Sequence, residues 1–433
     1  KPAMNINSNF IVMNFLKLLD CFIPLLRKSE EKTVDGGDEV IKIDPLDQNP
    51  YFSMFANCEA DSIPILNDEQ AQQVFERALI FSLVWSFGGI LVSESRSIFD
   101  NFLKEIMEKN KSNCAFPPKE TVFDYFADFG KNAWIPFCDG TTNMNFTNQL
   151  PIEQQLFPTQ ESASVLYLSR LLITNHQHLL LNGSESCKTL SSKTLFEVIV
   201  DKSKFSFHNL PLANCSTPAN IGKFMMSKMH KHQGAFGPLP SQHLVFLLDS
   251  IGSVKPEIYG AQPPLELIRQ FFDYGGWFNT STVEFMNIVN TSLLATMGLP
   301  GGGLFDVPQR LIHHFFLLHC PKYEEKTLLE IMNGIMLMQF HHHHPSIRDL
   351  INQTSVATIA VFHRCIETLL PIPSKLHYVF SLRNIVRVIK GMTLVSSEMV
   401  QSDTSFYRIW YHEMCREFHD RFNQENDRKW FLN

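Results

Sequence analysis

His178-Leu179-Leu180-Leu181, running into Asn182-Gly183-Ser184-Glu185-Ser186-Cys187-Lys188-Thr189, is the stretch on which the fold turns. A short apolar run closed by a polar turn reads as a buried strand. A strand, a turn and then Lys-Thr opening a helix is the form of a phosphate-binding loop. In that form Lys188 meets a β- or γ-phosphate and the Thr189 hydroxyl ligates Mg²⁺. The form also calls for glycine at two positions, and counting back from Lys188 these hold Asn182 and Cys187. A left-handed residue other than glycine costs about 1–2 kcal/mol, so a weakened loop is predicted, and Glu185 adds a negative charge near the phosphates. Alone, a Lys-Thr pair after a strand fits an ordinary helix start equally well.

Downstream, Leu244-Val245-Phe246-Leu247-Leu248-Asp249 is an apolar strand ending in a carboxylate, the form of a Walker B strand. Asp249 suits Mg²⁺ held through water, although a lone aspartate there would also cap a turn. The next position calls for a second acid to orient attacking water, and it holds Ser250. Loss of such a group costs roughly 10²–10⁴ in rate, so binding is expected to outlast hydrolysis. Phe205 to Leu210 is a similar apolar run, with helical stretches between the runs and a helix from Glu161-Ser162 to Thr174 before them. Strands alternating with helices imply a parallel α/β sheet.

Upstream, apolar residues at helical spacing predict an amphipathic helix from Asn9 to Ile23, ended or kinked at Pro24. A polar loop covers Lys28 to Asp47, a helical block Asp68 to Lys109, and a turn-rich region Asn110 to Phe157. From Glu325 onward the pattern is helical, interrupted at Pro345, Pro371 and Pro373. His341 to His344 read as a solvated helix end, because consecutive histidines splay around a helix and do not form an i, i+4 pair. His319 with Cys320, and His363 with Cys365, lack a third group for nucleophilic chemistry.

The 433 residues are 44% hydrophobic and 19% charged, ordinary for a globular protein. A net charge of −7 gives no electrostatic reason to expect nucleic acid or an anionic membrane as partner. The 37 phenylalanines fit an interior packed through aromatic knobs. Nine scattered cysteines without a CxxC pair predict reduced thiols and no disulfide scaffold. The longest apolar stretch, Ala78 to Val92, is too short to span a bilayer. A chain opening at Lys1 without a signal-peptide shape is expected to be a piece of something longer.

Glu257-Ile258-Tyr259-Gly260-Ala261-Gln262-Pro263-Pro264-Leu265-Glu266-Leu267-Ile268-Arg269-Gln270 closely resembles the segment after Walker B in the third AAA+ module of dynein heavy chains. So does Met297-Gly298-Leu299-Pro300-Gly301-Gly302-Gly303, continuing to Arg310-Leu311-Ile312-His313-His314-Phe315. Gly234-Ala235-Phe236-Gly237-Pro238 is similar to the turn before Walker B, and His377-Tyr378-Val379-Phe380-Ser381-Leu382-Arg383-Asn384 to the small-subdomain signature. Arg408-Ile409-Trp410-Tyr411-His412-Glu413 resembles the module's closing helix. Phe81-Ser82-Leu83-Val84-Trp85-Ser86-Phe87-Gly88-Gly89 looks like the end of the second module.

The resemblance implies an α/β AAA+ P-loop core with a parallel sheet, flanked by all-helical small subdomains. It divides the chain into 1–110 (helical end of the preceding module), 111–160 (connecting segment), 161–324 (large α/β subdomain) and 325–433 (helical small subdomain). It carries nucleotide binding to Asn182, Gly183, Cys187, Lys188, Thr189, Asp249 and Arg383, the last as a sensor-2 arginine. Thr189 and Asp249 become the metal positions, and Arg310 the arginine facing a neighbouring module's nucleotide. ATP or ADP with Mg²⁺ is the implied cofactor. Phe305 stands where a sensor-1 Asn would follow the glycine turn, and Leu304 replaces the preceding Arg. These departures point to a divergent heavy chain, with a module that binds nucleotide weakly or without turnover and acts structurally or as a regulator. A nucleotide-free scaffold and an ATPase completed by neighbouring modules are the alternatives. The implied partners are neighbouring AAA+ modules and dynein-associated chains, with microtubules reached only through regions outside this chain. The implied setting is the cytoskeleton of a cilium or flagellum axoneme.

Overall fold

The computed structural model describes residues 2–4, 6–27, 68–110, 114–129, 132–137, 151–157, 159–183, 187–232, 234–279, 282–301, 303–340, 345–396, 399–400 and 402–432. The loop at Lys28 to Asp47, the His341 to His344 tract and Glu185 lie outside the described residues. The chain forms two compact units, Lys1–Asn145 with Gln160–Pro321, and Phe146–Thr159 with Lys322–Asn433. Segment 111–160 is thus divided between them.

In the first unit, α1 (Ser8–Arg27) packs on α2 (Asp68–Phe87), and α3 (Ser93–Lys109) follows a single 3-10 turn at Gly88–Ile90. α1 continues through Pro24, one turn further than expected. Proline loses a donor, but its fixed φ is helical, so the helix can continue beyond it. The helical block predicted from Asp68 to Lys109 is two helices. They part at Leu91 and Val92, whose backbone is extended (ψ 149° and 157°), and a β-carbon at Gly88 in the turn before them would run into the Phe123 ring. Strands β1 (Tyr125–Asp128) and β2 (Ala133–Pro136) form an antiparallel hairpin inside the turn-rich region.

The α/β core follows: α4 (Gln160–Thr174), β3 (Leu179–Asn182), α5 (Lys188–Thr194), β4 (Phe205–Pro211), α6 (Pro218–Ser227), β5 (His230–His232), β6 (Ala235–Gly237), β7 (His243–Asp249), α7 (Pro263–Tyr274), β8 (Gly276–Phe278), β9 (Phe285–Ile288), β10 (Thr291–Met297), α8 (Gln309–Ile312) and β11 (Phe316–His319). The main sheet runs β11-β3-β10-β7-β4, and every pair in it is parallel. This is the α/β core that the apolar runs predict, and Leu244, Val245, Phe246, Leu247 and Leu248 are all 0% exposed. Full burial of such a side chain stabilises by about 1.5–3 kcal/mol. One face of the sheet packs Leu180, Phe246, Leu293 and Leu317 against Ile221 and Met225 of α6 and Leu265, Ile268 and Phe271 of α7. Strands β5-β6-β9-β8 make a smaller sheet beside it.

Within that smaller sheet, Gly276 faces the Met286 backbone so closely that an added β-carbon would collide with the Met286 carbonyl oxygen. Backbone has little freedom to yield. Gly276→Ala is therefore expected to destabilise the unit by about 1–3 kcal/mol, as overpacking does. An unchanged urea midpoint would contradict this.

The second unit is helical: α9 (Glu325–Gln339), α10 (Pro345–Thr368), α11 (Leu382–Thr393), α12 (Asp403–Glu417) and α13 (Glu425–Leu432). A capping box, Ser381 with Asn384, starts α11. Asp427 of α13 accepts from Lys375 Nζ (2.6 Å) and the Tyr378 hydroxyl (2.8 Å), fastening the last helix to the turn before α11. Among the described residues no helix is long and apolar enough to cross a membrane, and the described cysteines are free thiols.

Candidate nucleotide site

Ligands of open α/β sheets sit beyond the carboxyl ends of the strands, and there β3 and β7 deliver Asn182 and Asp249. Asn182 pairs in register with Met297 of β10 and His319 of β11. Its carbonyl accepts from the Cys320 N–H at 2.7 Å, while the Gly183 N–H donates to the Met297 carbonyl at 3.2 Å. The start of the loop is therefore gripped from both neighbouring strands. The Asn182 side chain is fully buried, and neither its oxygen nor its nitrogen has a hydrogen-bond partner. Such groups are costly unless paired.

Cys187 has φ −69° and ψ 44°, and its carbonyl accepts from Ser191 N–H at 2.8 Å, closing the first turn of α5. Neither Cys187 nor Asn182 is among the positive-φ residues. The left-handed cost expected at the replaced glycines is therefore not incurred. The chain enters the helix from Cys187 with negative φ. Among the described residues of this site, the left-handed one is Ser250, at φ 64° and ψ 54°.

Lys188 and Thr189 are the first two residues of α5. The Lys188 ammonium donates to the Gly183 carbonyl at 2.5 Å. The Thr189 hydroxyl donates to Asp249 Oδ1 at 2.8 Å, so the two metal positions read from the sequence are in direct contact. The Thr296 hydroxyl donates to the same oxygen at 2.6 Å and accepts from the Ser250 N–H at 3.0 Å. Every donor in this cluster is used in one direction, which fixes the carboxylate between β7, β10 and α5.

Thr296 is the residue that sequence reasoning missed. The sequence offers no polar group for the carboxylate, since Phe305 stands at the sensor-1 position after the glycine turn. Phe305 instead gives its N–H to the Gly252 carbonyl at 2.7 Å, while the neighbouring strand presents Thr296. The available signal was a hydroxyl residue near the end of the Thr291–Met297 run.

The two arginines belong to other elements. Arg310, on α8, is 67% exposed and stands 3.5 Å from Glu266 Oε1. An exposed pair of that kind contributes little to stability. Arg383 is exposed on the first turn of α11, in the second unit.

Behind the loop, Arg96 of α3 donates to the carbonyls of His319 (2.7 Å), Leu91 (3.2 Å) and Gly89 (3.3 Å). Burial pulls its guanidinium down to about 10, and burial, followed by the charges of Arg96 and Lys188, pulls the His319 imidazole down to about 4. His319 is thus neutral at pH 7.

The thiols, hydroxyls and carboxylate fit a divalent ion only through oxygen: Thr189 and Asp249 are hard donors of the kind Mg²⁺ takes. Lys188 supplies a single cation next to a backbone turn, the arrangement that receives a phosphate.

Three family models match successive stretches. Residues 49–139 match a dynein heavy chain AAA lid domain, 144–323 a P-loop containing dynein motor region, and 336–428 a dynein heavy chain ATPase lid domain. The chain is 30% identical over 374 residues to human dynein axonemal heavy chain 12, covering 82% of this chain and 12% of that protein. It is 29% identical over 455 residues to human dynein axonemal heavy chain 1, covering 97% of this chain and 10% of the relative. The mouse counterpart of the latter is 30% identical over 462 residues, covering 98% of this chain and 10% of its own length. The chain spans about a tenth of the length of these relatives. Its parallel core lies where the motor-region match falls, with lid matches on either side, and the chain belongs to the dynein heavy chain family.

Proposed function

We propose that this segment is a degenerate AAA+ module, the third of a heavy-chain ring preceded by the end of the second, that holds nucleotide weakly and does not hydrolyse it. The carrying observation is the contact between Thr189 and Asp249 beside a Ser250 that offers no carboxylate. The groups that would hold Mg²⁺ and phosphate are assembled, and the group that would orient water is absent at its usual position. Bound Mg²⁺ would neutralise phosphate charge. Thr189 and Asp249 would hold the ion, and Lys188 would leave the Gly183 carbonyl for a phosphate oxygen. Arg383 and Arg310 keep their proposed roles as sensor-2 and neighbour-facing arginines.

In this reading the module restrains or relays conformational change between its neighbours, since packed interfaces have discrete arrangements. The relatives are named axonemal heavy chains, which favours microtubule-based motility in a cilium or flagellum axoneme as the setting. Neighbouring AAA+ modules of the same heavy chain would be the immediate partners, with dynein-associated chains beyond them.

The test is equilibrium binding of fluorescent ADP and ATP with Mg²⁺, together with phosphate release. A charge-assisted hydrogen bond contributes about 1.5–3 kcal/mol, so Lys188→Ala is expected to weaken binding roughly 10- to 100-fold. Phosphate release should stay at background in both proteins. Binding unaffected by Lys188→Ala would remove the loop from the site, and turnover that depends on Lys188 would make the module an ATPase.

A further inference from the structure

We propose that Arg96 is a positioning residue for the nucleotide loop, through which α3 feels whether Lys188 rests on the Gly183 carbonyl or has moved to a phosphate. The inference rests on the nucleotide reading above and adds a route by which that occupancy reaches a helix outside the α/β core.

Among the described residues, Arg96 makes no hydrogen bond to the loop itself. Its Nη2 holds the carbonyl of His319, the last residue of β11, at 2.7 Å. The next residue, Cys320, gives its N–H to the Asn182 carbonyl at 2.7 Å, and Asn182 pairs with His319 across the strands. Gly183 follows Asn182, and its carbonyl is the acceptor that Lys188 occupies at 2.5 Å. The guanidinium on α3 and the ammonium on α5 are therefore joined through three carbonyl groups, those of His319, Asn182 and Gly183, and the residues of strand end between them. His319 lies between the two cations, and both charges act on its buried imidazole.

The grip on the other side is equally specific. The same guanidinium takes the carbonyls of Gly89, inside the 3-10 turn before α3, and of Leu91, just after it, and lies 5.0 Å from the centre of the Phe123 ring. A planar fork that reaches three carbonyls is a task lysine cannot copy. Beside it, Arg96, His319, Asp124, Gln160 and Glu161 line a cavity of about 50 Å³. That is room for a few waters, so the strand end can shift slightly without meeting packed side chains. Moving Lys188 off Gly183 removes a charged donor from one end of this chain of contacts. Arg96 holds the other end.

Linkage makes the effect reciprocal. Nucleotide should stiffen the start of α3, and loss of Arg96 should weaken nucleotide. In the 433-residue chain, hydrogen exchange is read at the amides of Val92 to Ile98 with and without saturating MgADP. Affinity for fluorescent ADP is read alongside, in wild type, Arg96→Lys and Arg96→Ala. Wild type should slow exchange at these amides on binding. Arg96→Ala should bind about fivefold or more weakly and, when saturated, show no slowing. Arg96→Lys, which keeps the charge and can reach only some of the carbonyls, should fall between and guards against a variant that merely misfolds. Binding in wild type with no change in exchange, or equal affinity in all three proteins, overturns the role of Arg96 and leaves the nucleotide reading standing. No binding by wild type overturns both.

Discussion

Acidification from pH 7 to pH 5 is expected to remove about 2–5 kcal/mol of stability from the α/β unit, largely through three histidines at the amino-terminal ends of the main sheet's strands. His178 Nδ1 accepts the Leu293 N–H at 3.0 Å, a bond available only to an unprotonated nitrogen. His243 Nε2 is 2.8 Å from Ser292 Oγ, whose own proton goes to the His176 carbonyl at 3.1 Å. The His243 Nε2–H therefore donates there. His314 stacks on Phe272, ring centres 4.8 Å apart, with Nε2 3.2 Å from Asp273 Oδ1 but without hydrogen-bond alignment. Burial is the largest cause in each case: it pulls His178 to about 3, and His243 and His314 to about 4. Coulomb interactions reinforce it, with Lys17 at His178, with His176 at His243, and with His313, Lys17 and Arg269 at His314. Asp273 opposes it at His314 without reversing the direction.

The sign follows from where the protons go. Unfolded histidines titrate near 6.5, so between about pH 6.5 and 4 the unfolded chain binds protons that the native chain refuses. Stability is full above pH 6.5 and falls as pH drops, by about 1.4 kcal/mol per pH unit for each histidine. Domains carry only about 5–15 kcal/mol in total, so the unit should unfold before carboxylates titrate. Urea midpoints at pH 7.5, 6.5 and 5.5 measure this. A midpoint constant over that range would mean that these rings are solvated or already charged in the native state.

The same edge explains why part of the sheet was hidden in the sequence. Strands β3 and β7 were legible because strands buried on both faces read as unbroken apolar runs, and β4, a partly buried edge strand, through Phe205, Phe207 and Leu210. β10 is a central strand but reads Thr-Ser-Leu-Leu-Ala-Thr-Met. Its Ser292 serves His243 and His176, and its Thr296 serves Asp249, so the hydroxyls that do its work disguise its burial. The small sheet was hidden for another reason: its strands are three or four residues long and one of them reads His-Lys-His. In the site, Lys188, Thr189 and Asp249 were legible because their chemistry fixes residue type and order. The conformation of Cys187 was not, since a motif records that glycine is usual and not which φ this loop adopts. Arg96 left no trace in the sequence, because its partners are carbonyl groups, which every residue has.

Replacing Trp85 by alanine should cost about 3–5 kcal/mol, the range for a buried aromatic, and the loss should be felt throughout the first unit. Trp85 of α2 is 2% exposed. It meets Phe123 edge to face at 5.7 Å, Phe137 at 6.2 Å, and Phe81 at 6.3 Å. Phe81 and Phe137 in turn touch Tyr167 of α4, at 5.9 and 5.5 Å. A continuous aromatic seam therefore joins the helices before the core to the helix that precedes the phosphate loop. Each such pair adds about 0.5–1.5 kcal/mol beyond area burial. The Trp85 indole N–H is buried without a partner, so Trp85→Phe removes an unpaired donor along with some volume and should cost much less than Trp85→Ala. The informative readout is Trp277, 3% exposed and packed in the core on the far side of the sheet. With 5-fluorotryptophan, its ¹⁹F resonance reports core unfolding separately from the rest of the chain. If Trp85→Ala lowers the Trp277 midpoint as much as the helical signal, α2 and the α/β core unfold as one cooperative body. In that case, strain on the helices reaches the nucleotide loop through packing as well as through Arg96. If the Trp277 midpoint stays put while helix is lost, the seam is a docking contact between independently stable parts, and Arg96 alone would have to carry the coupling.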